Sequence, residues 1–338
     1  MKDTPKLDAR TLITIDDIKA ARQRIASTIR ETPFALSPFL TEKCGVPVHL
    51  KLEHQQVTGS FKLRGATNAI LKLPETDRAR GVVGVSTGNH GRGLAYAARE
   101  NGVNCIVCMS SLVPENKVEG IRAQGAEVRI VGRSQDDAQV EVDRLVEEEG
   151  MTLIPPFDHA DIIAGQGTLG LELHEQIKDI DTAVIQVSGG GLISGVALAL
   201  KSLNPDIKVI GVSMERGAAM HAALKAGKPV HVPELTTLAD SLGGGIGLDN
   251  QYTFSMVNRL VDEVVLVNEV AIARAIRHAY WHERQIIEGS GSVAIAALLE
   301  GLVRPEGQTI CLLSGGNIDM KLHHRIISGE NVDLDKEG

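Results

Sequence analysis

Several features are scarce or missing in this chain, and each gap narrows what it can be. No stretch reaches the ~18 consecutive apolar residues of a membrane-spanning helix. The start, Met1-Lys2-Asp3-Thr4-Pro5, has no apolar signal-peptide core. The expectation is a cytoplasmic protein with no membrane role. Positive charge is not in excess: the net charge is −8, with both signs spread along the chain, which argues against nucleic-acid or membrane-surface partners. Cysteine is limited to Cys44, Cys105, Cys108 and Cys311. Cys105 and Cys108 have the spacing of a metal or redox pair, but Val103–Met109 reads as a buried strand, where residues three apart face opposite sides. No second pair completes four ligands, so core cysteines are expected. Aromatics are scarcer still, with 5 Phe, 3 Tyr and 1 Trp.

What is present is an ordinary globular balance, 43% hydrophobic and 23% charged over 338 residues, enough for a large core and two domains. Residues 1–10 read as a polar arm. Thr14 and Asp17 can cap a helix running toward Thr28, and a short helix spans Ser37 to Lys43. From Gly81 onward strands and helices alternate. Strands are expected at 81–86, 103–109 and 127–131, with 152–156 closing that block, then at 182–187, 208–213, 261–267 and 309–313. Repeated units of this kind predict an α/β protein of two open, mostly parallel twisted sheets with helices on both faces.

One stretch organises the rest: Thr58-Gly59-Ser60-Phe61-Lys62-Leu63-Arg64-Gly65. An alternating strand, Val48–Glu53, precedes it. A helical run, Ala66, Ala69, Ile70 and Leu73, follows and stops at Pro74. Lys62 therefore sits where a loop becomes a helix, with Ser60 as the expected N-cap. A helix N-terminus and the nearby Arg64 both disfavour an ammonium there, leaving the neutral amine that attacks carbonyls. Phe61 beside it fits a pocket wall.

Two glycine-rich loops follow strands. Ser188-Gly189-Gly190-Gly191-Leu192-Ile193-Ser194-Gly195 can turn backbone N–H groups onto one spot at a helix N-terminus, an anion site best suited to phosphate. Ser194 stands where the dinucleotide pattern needs glycine, and there is no Walker lysine. Ser86-Thr87-Gly88-Asn89-His90-Gly91 ends another strand and could hold a carboxylate. Asp240 to Gly247 is a third such loop. His278, His282 and Glu283 read as a polar helix face, and Asp136, Asp137, Glu141 and Glu147–Glu149 as a solvated one. Glu288 is equally a capping acid or a cofactor-side acid.

A reactive lysine, a phosphate cradle and a carboxylate loop together suggest pyridoxal phosphate. The motifs Ser60–Gly65, Ser86–Gly91, Ser188–Gly195 and Ser314-Gly315-Gly316-Asn317-Ile318-Asp319 come in the order found in the serine/threonine dehydratases. The chain resembles that family, which includes serine racemase and belongs to the tryptophan-synthase-β group (fold type II), from about Ile15 to Ile327. Within it, the wording Ser-Thr-Gly-Asn-His-Gly-Arg-Gly is most similar to dehydratases of hydroxyectoine utilisation. The resemblance implies a large cofactor-binding domain over 1–80 and 158–338, with a small domain over 81–157 on the carboxylate-loop side.

It also implies roles. Lys62 would carry the cofactor and take the substrate Cα proton, with Thr87 as a second catalytic group. Phe61 would pack on the pyridine ring and Asn89 would bond its 3′-oxygen. Ser188, Gly189, Gly190, Gly191 and Leu192 would cradle the phosphate, and Ser314 would face the ring nitrogen and leave it unprotonated. Ser86, Thr87, Asn89 and His90 would surround the substrate carboxylate. The implied activity is dehydration of a β-hydroxy amino acid, of threonine, serine or 3-hydroxyaspartate type, to a 2-oxo acid and ammonia, by a homodimer or homotetramer. Amino-acid racemisation is the alternative. It is disfavoured because serine racemase has a serine, used as the second-face acid, where the bulkier Thr87 stands. The family's divalent-cation (Mg2+) site begins with a glutamate right after the strand; here that residue is Ser213, with Glu215 two later and Ala219 in place of an aspartate, so no metal ligand is assigned. Arg92, where many relatives have glutamine, would receive a second carboxylate on a diacid substrate.

Overall fold

The alternation read from the sequence folds into two sheets. The structure is a computed structural model that describes residues 13–86, 88–113 and 115–332. The strands are β1 (Phe34–Leu36), β2 (Val48–Lys51), β3 (Val82–Val85), β4 (Cys105–Met109), β5 (Glu127–Ile130), β6 (Thr152–Leu153), β7 (Ile180–Gln186), β8 (Lys208–Met214), β9 (Glu263–Val267) and β10 (Gln308–Leu312). Six of them form one sheet in the order β1-β2-β10-β7-β8-β9, and four form the other in the order β5-β4-β3-β6. Every neighbouring pair is parallel except β1 against β2. The expected fold class is therefore the observed one. The polar arm at 1–10 lies outside the described residues.

Sequence chemistry explains the elements. Thr14 and Asp17 form a reciprocal capping box on the helix Ile15–Ile25. Ser37 caps Pro38–Cys44, which Gly45 closes in the left-handed region (φ 75°). Strands β7 and β8 are apolar on both faces because helices cover both. Cys105 joins the cluster with Leu63 and Leu94, whereas Cys108 joins the one with Val83 and Leu145. The two thiols thus face opposite sides of β4, as its period of two requires, and all four cysteines are free.

Three features were not anticipated. The edge strand β1 has all three residues exposed, so it offers no apolar alternation. Short helices occur at Glu75–Arg80, Thr253–Leu260 and Met320–Ile327. The helix carrying Lys62, Lys62–Lys72, also places Leu63, Ala66, Ala69 and Ile70 in the core of the four-stranded sheet with Val82 and Val107, although its neighbour β2 belongs to the other sheet.

Candidate active site

A cleft of about 570 Å³ opens at the C-terminal ends of β3, β7 and β10. That is the edge where open parallel sheets hold ligands. Four helix N-termini converge on it: Lys62, Asn89 and Gly191 are each a first helical residue, and Glu288 is the N-cap of Gly289–Leu299. Its wall includes Phe61, Lys62, Ser86, Asn89 and His90, all of Ser188 to Leu192, and Ser314. Apart from Arg92, the site residues expected from the sequence and described by the structure line this one cleft. Thr87 lies outside the described residues.

Lys62 donates to the Pro156 carbonyl oxygen at 2.7 Å, and its ammonium is 5.4 Å from the centre of the Phe61 ring. Burial lowers its pKa from 10.5 to about 8. Two details depart from the expectation. Ser60 does not cap the helix: Phe61 is the N-cap residue, without a side-chain cap bond, and the Ser60 hydroxyl is buried and unpartnered. Ser60 is fixed instead by its backbone, bridged to Gly315, while the Phe61 N–H donates to Ser314 O at 3.1 Å. Nor does Arg64 act on the Lys62 amine, since its guanidinium is bound to Glu53 and Glu172.

The cradle is built for backbone contact. Gly190 is left-handed (φ 88°), and a Cβ on Gly189 or Gly191 would run into Phe157. The first N–H groups of Gly191–Leu203 have no acceptor within their helix, so they are free to receive an anion. Lysine, backbone cradle and a neutral hydroxyl at Ser314 fit pyridoxal phosphate. We expect Gly190→Ala, which strains the left-handed turn and approaches Met220, to weaken cofactor affinity about tenfold, measured by fluorescence titration.

On the opposite wall, Ser86 Oγ accepts from the N–H groups of Gly88 (3.3 Å) and Gly91 (2.9 Å), which closes the loop under the helix N-terminus. His90 donates Nε2–H to Ile154 O at 2.9 Å. Burial, then the charge of Lys62, pull its pKa to about 3, so it is a neutral wall with an unprotonated Nδ1.

Sequence reasoning missed several lining groups. Lys117 is one: it pairs at 2.6 Å with Asp240 of the third loop, which lines the cleft as read, but the two are 123 residues apart, so no local pattern announces the pair. Phe157 and Gln186 line the cleft as well, and Gln186 donates to Leu312 O at 2.6 Å. Glu288 resolves as a site acid: it makes no cap bond, and its carboxylate accepts from Asn89 Nδ2 at 2.6 Å. Arg92 is not among the lining residues and packs its guanidinium on Gly120. His278 pairs with Glu283 and stacks on His282.

Where the resemblance places a cation, Ser213 is buried with its hydroxyl on the Met214 sulfur (3.4 Å), and Ala219 offers no donor. Among the described residues no three His, Cys, Asp or Glu side chains gather to hold a metal. The residues present do not fit a cation there.

Fold and site together define an enzyme cleft in which a buried lysine faces a backbone cradle suited to a phosphorylated cofactor. The sequence pattern described as pyridoxal-phosphate dependent enzyme matches residues 25–315, and the chain belongs to that family. It is 59% identical over 318 residues, 94% of this chain and 96% of the relative, to a Sinorhizobium fredii protein provisionally named threonine dehydratase. It is 41% identical over 317 residues to the L-threonine ammonia-lyase of Thermotoga maritima, covering 94% of this chain and 79% of that protein. Maize serine racemase superposes with a TM-score of 0.88 at 34% identity, covering 93% of this chain and 97% of that one.

Proposed function

We propose that this protein is a dehydratase, or ammonia-lyase, that converts a β-hydroxy amino acid of threonine, serine or 3-hydroxyaspartate type to a 2-oxo acid and ammonia. The observation that carries the reading is Lys62 set in the same cleft as the glycine cradle and the Ser86–Gly91 loop, with Ser314, a hydroxyl and not a carboxylate, in its wall. The names of the Sinorhizobium and Thermotoga relatives support it.

Bound pyridoxal phosphate supplies the electron withdrawal that makes a substrate Cα proton acidic. The chain supplies the rest. Ser86 shapes the loop by accepting from the Gly88 and Gly91 N–H groups, and the N-terminus of Asn89–Glu100 offers its first N–H groups and its dipole to the substrate carboxylate. Lys62, with its lowered pKa, is the base placed for the Cα proton. Phe61, His90 and Phe157 wall the cleft. Loss of the proton and the β-hydroxyl leaves an enamine acid, which tautomerises to an imine and hydrolyses to the 2-oxo acid and ammonia.

The test is 2-oxo acid release from L-serine, L-threonine, both diastereomers of 3-hydroxyaspartate and hydroxyectoine-derived amino acids, with chiral analysis alongside. Oxo acid from one of these is the expected result. Inversion without oxo acid would replace the reading by racemisation, the activity named for the maize neighbour. A second prediction concerns loading. Only the neutral amine attacks the cofactor aldehyde, and a pKa near 8 makes that form rise as pH climbs through 8. Uptake of pyridoxal phosphate by the apoprotein should accelerate between pH 7 and 9 and level off above, followed by stopped-flow absorbance. A midpoint near 10.5 would mean that burial does not act on Lys62.

The domain split at 1–80 with 158–338 and 81–157 belongs to the same reading, supported by the four-stranded sheet drawing its strands from 82–153. So do a homodimer or homotetramer and a cytoplasmic setting. Among the described residues no helix is long and apolar enough to cross a membrane.

A further inference from the structure

We propose that Glu288 is a positioning residue of this cleft: as the acceptor at the end of an amide relay whose order Thr58 O sets, it holds the Asn89 amide in place and thereby the hydrogen bond that Asn89 offers to the cofactor. The inference rests on the reading that pyridoxal phosphate occupies the cleft.

The direction of each bond follows from one backbone carbonyl. Thr58 O can only accept, so the atom of Asn317 lying 2.9 Å from it is the amide nitrogen. That nitrogen also lies 2.6 Å from Asn89, whose facing atom must then be its oxygen. The Asn89 nitrogen is therefore turned to Glu288 Oε1, 2.6 Å away, and the carboxylate accepts. Gly59 (φ 79°) makes room for the relay, since a Cβ there would strike the Asn317 amide. Glu288 is itself held, its N–H donating to Gly315 O at 3.2 Å. With one N–H committed to Glu288, Asn89 keeps a second N–H on the cleft side, where Ser241 Oγ stands 3.5 Å off. A relay of four segments thus aims one donor.

The terminal acceptor of this relay is a 4%-exposed carboxyl. Burial first, then the charge of Asp240, raise its pKa to about 7, and the bond from Asn89 and the charge of Lys117 work the other way. Arg92, on the helix Asn89–Glu100, also lies within its field. The segments bearing Thr58 and Asn317 bring no charge to it, but the Asn317 backbone N–H donates to the carboxylate and also works to lower its pKa. Proton uptake at Glu288 changes the charge on the amide relay without reversing it, because Thr58 O still dictates the order.

The test uses holoenzyme of the wild type, Glu288→Gln, Glu288→Ala, Asn89→Ala and the double alanine variant. The first readout is absorption of the bound cofactor from pH 6 to 9. The wild-type band should shift with a midpoint near 7. Glu288→Gln, isosteric and uncharged, should hold the cofactor with a band that does not titrate there. Glu288→Ala should lower kcat about tenfold with little change in KM, and the double variant should be no slower than Asn89→Ala alone. A band that titrates alike in wild type and Glu288→Gln would overturn the proposal. So would full additivity of the two alanine losses. A wild type that shows no cofactor band at all would sink the underlying cofactor reading, a separate and recognisable failure.

Discussion

Lys62→Ala will release no measurable 2-oxo acid from any substrate the wild type turns over, a loss of about 1,000-fold or more. The size follows from the absence of a substitute. The other lysine in the cleft wall, Lys117, is held by Asp240. His90 is neutral with its Nε2–H spent on Ile154 O, and burial keeps it from taking a proton near neutral pH. The backbone around Lys62 does not depend on its side chain, because Phe61 N–H and the Ser60–Gly315 bridge anchor it. The variant should therefore fold, and circular dichroism with a denaturation curve checks that. It should still bind pyridoxal phosphate weakly through the cradle, without the covalent adduct that mass spectrometry should find in the wild type after borohydride reduction. A Lys62→Ala protein retaining a tenth of wild-type turnover would remove the lysine from the chemistry altogether.

The sequence makes this lysine legible because its surroundings are local. A strand, a glycine, a helix start and Phe61 all lie within fifteen residues of it. Ser188–Gly195 is legible for the same reason: its glycines are contiguous, and their freedom is a property of each residue. Long-range commitments are not legible. Ser60 has the chemistry of an N-cap, yet the bridge to Gly315 wins and leaves its hydroxyl buried. Glu288 could cap its helix by position, yet its carboxylate turns to Asn89, 199 residues away in the chain. Arg92 reads as a site cation from its place after the loop, yet the helix turns it onto Gly120. Burial misleads in the same way. Lys51 and Glu53 read as the polar positions of a half-buried strand, and the fold hides both completely.

Arg64→Ala should be the most destabilising single change outside the cleft, by roughly 3–5 kcal/mol. Arg64 is 2% exposed and bonds Glu53 twice, at 2.7 and 2.8 Å, and Glu172 once, at 2.8 Å. Lys51 closes the group: its ammonium binds Glu172, Thr32 O at 2.6 Å and Gln176 at 2.8 Å. Two cations and two carboxylates balance, and burial is tolerated because each charge is met. Desolvation works to raise the Glu53 carboxyl, but the guanidinium overrides it and holds its pKa below the usual range. Removing Arg64 leaves Glu53 with Thr32 and Glu172 with Lys51, so one negative charge is stranded in a dry interior. Lysine should not rescue, since a point charge cannot fork across Glu53 and reach Glu172. The double variant Arg64→Ala/Glu53→Ala should be less destabilised than the sum of its parts, because the stranded charge leaves with Glu53. The group also ties β2 and the helix Ala160–Gln176 to the helix that begins at Lys62. Cofactor loading should therefore fall in Arg64→Ala even where enough folded protein survives to measure it. Urea denaturation followed by circular dichroism reads the first effect. An unfolding free energy within about 1 kcal/mol of wild type would show that water or a shifted partner meets the carboxylates as well as Arg64 does.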